Sequence, residues 1–550
     1  MTQKLNVSIG ATIIPPLGAV KFVSHEFKSK DCMAELQVGI FFDGTNNNKD
    51  RDTPRLSDSN ISRLFKAYPE KRSSGLFPIY IPGVGTPFPE IGEPGESDMG
   101  SGFGIGCEAR VLYGLLSLLN AINFGVFGEQ RLVDAMRVQA LCHAGATKSS
   151  GDSGKICPPE LFRLERELLS KKIKAAKPLK IAVCNVDVFG FSRGAAEARV
   201  FCNWLDAMLD ADGALSGVPI CLRFVGLFDT VASAGFWTAV EYGLVSSTPH
   251  HGGWADATYL LVPPCAVNCV HMVAMHELRR NFPLDELATG LEMPKNWQEF
   301  AYPGAHSDVG GGYAPNDLGI SVGQDLVESD SLKLAQIPLN HMFDCAVAAG
   351  LPMDRNLAKR PGSKYDPFAI SPKVQKVFND FLNVVKTRPR PMREWLQYYL
   401  TWRWQVRLIF DDLVHVQKAC FNDQELLRRF NGKLKNEAEA ILRVKNQSLA
   451  VRLMKFALPL PMTALPLKDE FDIMNMDPEA LEVLCNAQQA PTTPRAVRDL
   501  FDGFVHDSLA GFNRSFIELP GYWRYRKAFA GGDTQLISQN ESSATETEAA

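Results

Sequence analysis

The chain has 550 residues, 45% of them hydrophobic, and a mean hydropathy of -0.09, so it can bury a large core as one big domain with an appendage or as two domains. A formal net charge of -4 gives no global field for nucleic acid, which excludes that partner class and leaves anionic surfaces to local patches. The 12 cysteines are scattered, as expected of buried thiols in a reducing compartment and not of a disulfide framework.

In chain order, the first residues lack a basic run followed by an apolar core, so synthesis in a cytosol without a secretory signal is expected. Gln37 to Phe42 reads as a buried strand ending in the turn formers Asp43-Gly44-Thr45-Asn46-Asn47-Asn48. A calcium-loop register starting at Asp43 would put Pro54 where the bidentate glutamate belongs, so calcium is not supported. Phe77 to Ile81 reads as a short strand closed by Pro82-Gly83. The glycines of Gly100 to Gly106 do not have the spacing of a phosphate loop and predict a flexible loop bordering a cleft. Val111 to Phe127 is apolar but falls short of the roughly 20 residues that cross a bilayer, and reads as a core helix. A surface loop over 148–159 and an amphipathic helix over 160–176 lead into the apolar, β-branched strand Ile181 to Phe189. Further strands are predicted at Ile220 to Phe228, Val267 to Met275 and Glu299 to Pro303. This alternation predicts an α/β fold with a mostly parallel central sheet, in which ligands bind at the carboxyl ends of the strands. Cys265-x-x-x-Cys269-x-His271 lacks a second cysteine pair, so zinc is not expected.

The remainder, from about Lys373 to Leu500, is mostly helical in pattern and predicts an added helical region. Within it Trp395, Tyr399, Trp402, Val406 and Ile409 fall at helical spacing, with Arg393, Arg403 and Arg407 between them. The preferred reading is a stripe packed against its own domain; the alternative is a bilayer interface. The divisions expected are a catalytic domain over 1–350, a helical region over 351–500 that could associate with membrane, a segment over 501–530 returning to the core, and an acidic, disordered tail over 531–550.

The chemistry centres on Gly190-Phe191-Ser192-Arg193-Gly194, set between a strand and a run of helix formers. That context makes Ser192 the nucleophile of an elbow, exposed on a strained turn that its flanking glycines permit. Asp229 follows the next strand and is the expected acid, with Glu241 and Asp256 as alternatives. His306, amid glycines past the last strand, is the expected base; His506 ranks second, and His276 beside Glu277 is a further competitor. Ser, Asp, His is the chain order of α/β-hydrolases. The oxyanion site is expected from the amide of Arg193 and from the Asp43-Gly44-Thr45-Asn46 loop, through Gly44 and Thr45. Such a site needs neither metal nor cofactor.

Four motifs in order, Phe42-Asp43-Gly44-Thr45-Asn46-Asn47, the Ser192 pentapeptide, Phe228-Asp229-Thr230-Val231-Ala232-Ser233 and Gly304-Ala305-His306-Ser307-Asp308-Val309-Gly310-Gly311-Gly312-Tyr313, resemble the hydrolase domain of bacterial type VI secretion lipase effectors of the first class. The resemblance runs over roughly 35–350 and resumes near Phe501 to Ser508 and Gly521 to Arg526. It implies an α/β-hydrolase fold and a phospholipase A acting on membrane glycerophospholipids through Ser192, His306 and Asp229. It also implies delivery by a secretion spike protein to a rival cell's periplasm and a cognate immunity protein. The rival readings are a soluble carboxylesterase for small esters and an inert interaction module.

Overall fold

The structure is a computed structural model that describes residues 12–13, 22, 34–96, 106–128, 131–149, 158–175, 181–231, 257–279, 282–287, 294–359, 362–386, 392–445, 478–511, 521–523, 525–526 and 528–529. Ten strands lie among them: β1 (Thr12–Ile13), β2 (Ala34–Phe42), β3 (Leu76–Ile81), β4 (Ile181–Phe191), β5 (Ala214–Leu215), β6 (Val218–Phe228), β7 (Asn268–Ala274), β8 (Leu284–Asp285), β9 (Trp297–Tyr302) and β10 (Ala528–Phe529). The main sheet has the order β1-β9-β7-β6-β4-β2-β3, and β5 pairs with β6. All neighbours along that order are parallel, and β5 is antiparallel to β6.

Parallel sheets are covered on both faces, and their central strands therefore read as nearly continuous apolar runs. In β4 every residue after Ile181 is buried. Side chains alternate between two cores: Val186 and Val188 point into one with Val38, Ile40, Val225 and Leu227, while Phe189 and Phe191 point into the other with Phe41, Phe224 and Phe228. The first core is closed by the helix Cys107–Phe127, which is longer than its apolar stretch suggested, and by the elbow helix Arg193–Met208. Cys107–Phe127 is long and apolar enough to cross a membrane, yet 61% of its most apolar window is buried in the fold, which is the core role expected of it. The one charged side chain of β4, Asp187, is buried and bonded to Arg223 of β6 at 2.6 and 2.9 Å and to Tyr68 at 3.0 Å. Losing either partner of such a pair costs about 3–5 kcal/mol, because the other charge stays buried alone.

The second core runs on without interruption into the C-terminal helices Pro372–Val385, Met392–Val406, Phe421–Lys445, Pro478–Gln489 and Arg495–Phe504. Trp395, Tyr399, Trp402 and Val406 are buried in it, so the aromatic stripe faces its own domain; Ile409 breaks the pattern at 56% exposed, since the helix ends at Val406. Beyond Phe504, β10 pairs in parallel with β8 in a two-stranded sheet apart from the main one. The expected loop over 148–159 begins inside the helix Ala135–Ser149, and its middle lies outside the described residues, as do the glycine run 100–105 and the acidic tail.

Candidate active site

Four parallel strands of the main sheet carry the candidate residues at their carboxyl ends, β2, β4 and β6 side by side and β9 beyond β7. Ser192 follows β4, Asp229 follows β6, His306 lies four residues after β9, and Asp43 follows β2. Ser192 has φ 58° and ψ -126°, an unfavourable backbone region for a side chain with a Cβ, so the elbow stores strain that its neighbours must hold. The flanking glycines are required by contact: a Cβ on Gly190 would come within 2.4 Å of the Gly194 carbonyl oxygen, and one on Gly194 within 2.4 Å of the Asp43 carbonyl oxygen. Strand, turn and helix can meet this closely only without those methyl groups. Hydrogen bonds from the Ser192 amide to the Phe228 carbonyl at 3.0 Å, and from the Val231 amide to the Ser192 carbonyl at 3.2 Å, lock the elbow to the Asp229 loop.

His306 Nδ1 lies 2.5 Å from Asp229 Oδ2, and its ring packs 4.6 Å from the ring of Phe191, the residue before the serine. Its Nε2 has no hydrogen-bond partner among the described residues. The His306 amide donates to Glu277 Oε2 at 3.1 Å, and Glu277 is bonded to Arg279 at 2.9 Å and to the Ser508 hydroxyl at 2.8 Å. Burial pushes the imidazole below its ordinary range, more than the bond to Asp229 raises it, which favours its neutral form.

Asp229 is fully buried and has φ 40°. Its Oδ1 accepts from the Ala274 amide at 2.8 Å and from Arg526 at 2.9 Å; its Oδ2 accepts from Arg526 at 2.8 Å besides His306. Burial would raise this carboxyl, but the Arg526 guanidinium and the bond to His306 outweigh it and hold the group well below the usual carboxylate range. Arg526 was not singled out from sequence, because nothing in its own neighbourhood marks it; the only signal was the motif resemblance resuming around Tyr522 to Arg526. The alternatives Glu241 and Asp256 lie outside the described residues.

The oxyanion expectations divide. The Gly44 amide donates to Asp43 Oδ1 at 2.8 Å and is therefore spent. Gly44 serves by its missing side chain instead, since a Cβ there would lie 2.4 Å from the Phe191 ring. The Thr45 amide has no backbone partner among the described residues, and the Thr45 hydroxyl accepts from Arg193 Nε at 2.5 Å, tying the loop to the first residue of the elbow helix. The Arg193 amide begins that helix, where the macrodipole favours negative charge. Asp43 is a loop anchor: its carboxylate accepts from Ser59 and Tyr80 at 2.5 Å each, and burial pushes it up to about 6.

The competing histidines are engaged elsewhere. His276 Nδ1 accepts from the Gly304 amide at 3.0 Å, and His271, of the cysteine-rich fragment, bridges Glu299 at 2.7 Å and Thr230 at 3.1 Å. His506 Nδ1 lies 2.6 Å from Asp308 Oδ1, and its ring stacks on Tyr313. A cavity of about 250 Å³ lies at the opposite, amino-terminal edge of the sheet, lined by Cys202, Cys221 and Cys265 among others, away from these groups.

The family model of the type VI secretion system phospholipase effector, Tle1-like, catalytic domain, matches residues 37–217 and 210–345. The chain belongs to this family. Among solved structures, an uncharacterized protein from Pseudomonas aeruginosa is 24% identical, with a TM-score of 0.67 over 91% of this chain and 80% of that one, a likeness of fold. The Tle1 effector bound to the VgrG spike from the type 6 secretion system is 20% identical, with a TM-score of 0.36 over 64% of this chain and 79% of that one. No curated protein matches the chain. The Tle1-like catalytic match spans the elbow, the Asp229 strand and the His306 loop, whereas Arg526, His506 and Ser508, which bond to Asp229, Asp308 and Glu277, lie beyond it.

Proposed function

We propose that this Tle1-like effector is a phospholipase A, a serine hydrolase in which Ser192 is the nucleophile, His306 the base and Asp229 the acid. The observation that carries the reading is a strained Ser192 elbow whose Phe191 packs on His306, with His306 bonded to Asp229 at 2.5 Å, all at the carboxyl ends of parallel strands. His306 Nε2 takes the Ser192 hydroxyl proton as Oγ attacks the acyl carbon. The amides of Arg193 and Thr45 receive the negative charge on the carbonyl oxygen, each worth about 3–4 kcal/mol at the transition state. His306 then gives its proton to the glycerol oxygen, the carbon–oxygen ester bond breaks, and the lysophospholipid leaves. Water, deprotonated by the same imidazole, releases the fatty acid and restores Ser192.

Family membership in type VI secretion effectors supports delivery by a spike protein into the periplasm of a target cell, where membrane glycerophospholipid is the substrate and a cognate immunity protein protects the producer. The described helices of the 351–500 region and the described residues of 501–530 place apolar side chains in the second core, which supports reading them as parts of one catalytic body. The decisive experiment is the product spectrum from defined phospholipids for the wild type and Ser192→Ala. Fatty acid plus lysolipid, absent in the variant, is expected. Phosphatidic acid or diacylglycerol from the wild type would refute ester cleavage at the acyl chain, and activity on short esters with none on bilayers would point to a soluble carboxylesterase.

A further inference from the structure

We propose that Arg526 is a positioning residue of the active site: it fixes the Asp229 carboxylate and shares its charge, so that His306 stays ready to accept a proton at lower pH than an unshared carboxylate would allow. The inference rests on the triad reading above. Arg526 is 297 residues from Asp229 in sequence, fully buried, and bonded through both terminal nitrogens to both carboxylate oxygens at 2.8 and 2.9 Å. The same guanidinium donates to the Ala274 carbonyl, the residue whose amide holds Asp229 Oδ1. Carboxylate and strand end are thus gripped together, which a fork of planar donors can do and a point charge cannot.

The segment carrying Arg526 is itself pinned on each side. β10 pairs with β8, the Glu286 amide donates to Phe529 at 3.0 Å, the Trp523 indole donates to Leu434 at 3.2 Å, and the Tyr522 hydroxyl donates to Asp507 at 2.6 Å. The C-terminal segment therefore supplies a cation to the acid, not a cover for the fold alone.

The charged and titratable surroundings set the sign. His306 is faced by Asp229 and Glu277, which favour its protonated form, and by Arg279, which opposes it. Asp229 also faces His271, while His276, Glu277 and Glu286 face Arg526. A carboxylate alone would stabilise the imidazolium strongly; one whose charge is shared with a guanidinium does so less. Removing Arg526 raises the affinity of His306 for a proton, and it also frees buried Asp229 to protonate at higher pH. Both effects move the acid limb of activity upward.

The test is the rate of Ser192 labelling by a fluorophosphonate as a function of pH, on the full chain as wild type, Arg526→Gln, Arg526→Lys and Ser192→Ala. In Arg526→Gln the acid limb should rise by about one pH unit, so that labelling at about pH 5 falls about tenfold relative to its own plateau. Arg526→Lys, which keeps the charge without the fork, should move the limb in the same direction by less, and serves if Arg526→Gln does not fold. A lower plateau with the limb unmoved in the variants that fold would leave Arg526 a structural residue and overturn the proposal. Labelling of Ser192→Ala would instead overturn the triad reading, whatever Arg526 does.

Discussion

Two histidine–aspartate pairs lie close together here with nearly the same geometry. His306 Nδ1 is 2.5 Å from Asp229 and His506 Nδ1 is 2.6 Å from Asp308; all four side chains are buried, and in both rings Nε2 has no partner among the described residues. Their surroundings separate them. His306 packs on Phe191, next to Ser192, and its aspartate is held by a guanidinium. His506 stacks on Tyr313 at 3.7 Å, and its aspartate accepts from the amides of Ala305 and His506, closing the turn that carries His306. A buried imidazole–carboxylate dyad can serve chemistry or fasten a fold, and what separates these two is the neighbour of each ring: Phe191 of the Ser192 elbow for His306, Tyr313 for His506.

The largest expected effect tests that distinction. Ser192→Ala and His306→Ala should lower fatty-acid release by about 10⁴-fold or more, as when a unit of nucleophile and base is broken. His506→Ala should lose no more than about tenfold, the cost of a slightly misplaced loop. Equal losses in His306→Ala and His506→Ala, measured on the same vesicles, would remove the basis for telling the pairs apart.

The aspartates should part in a second way. Asp229→Asn should cost about 10⁴-fold in rate and, because it leaves Arg526 buried without its anion, about 3–5 kcal/mol in stability. Asp308→Asn loses charge from hydrogen bonds to two amides and an imidazole, with no guanidinium bonded to it, and should cost about 1–3 kcal/mol. Urea unfolding of both variants measures this; a smaller loss in Asp229→Asn than in Asp308→Asn would contradict the role given to the guanidinium.

The parts of this arrangement that were legible in sequence are those written locally. The elbow needs glycines two residues either side of Ser192, and β4 needs an apolar run, so both appear as contiguous text. Asp229 and His306 could be singled out as candidates because each follows a strand directly or within a few residues, and the two side chains do meet in the fold. Gly44 was misread for a physical reason: a glycine in an oxyanion loop suggests an open amide, yet the amide is bound to Asp43 and the need is for space beside Phe191. Arg526 had no local signal beyond the resemblance resuming at Gly521 to Arg526, which gave it no role. A buried arginine that answers an aspartate 297 residues earlier leaves no periodicity or spacing in the chain between them. The short strands β1, β5, β8 and β10 were likewise illegible, because two residues in a strand carry no alternation.

A smaller effect follows from pH. The Asp229 carboxyl is held below its ordinary value, and Arg279 lowers that of Glu277 to about 2 against the rise that burial alone would cause. Depressed carboxyls contribute stability that is present above their unfolded values and lost as pH falls through the folded ones. Unfolding free energy should therefore decline as pH drops from about 4.5 towards 2, and Glu277→Gln should decline less steeply over that window. Parallel curves for wild type and Glu277→Gln would remove Glu277 from the acid response and leave it to other carboxylates.

The smallest effect concerns a third carboxylate near the elbow, one with no imidazole at all. Glu197, five residues beyond Ser192 on the elbow helix, is buried, and burial pushes its carboxyl up to about 8 although Arg110, Cys107 and Arg193 pull it down. Its charged form is thus disfavoured in the folded state, and the cost grows as pH rises from the unfolded value of about 4.5 to about 8. Glu197→Gln is neutral throughout. It should melt about 2–4 °C above the wild type at pH 8.5 and together with it near about pH 4.5, with the pH dependence of Ser192 labelling unmoved. A shifted acid limb in Glu197→Gln would mean that this carboxylate also reaches His306, and the contrast between a paired and an unpaired acid at the elbow would fail.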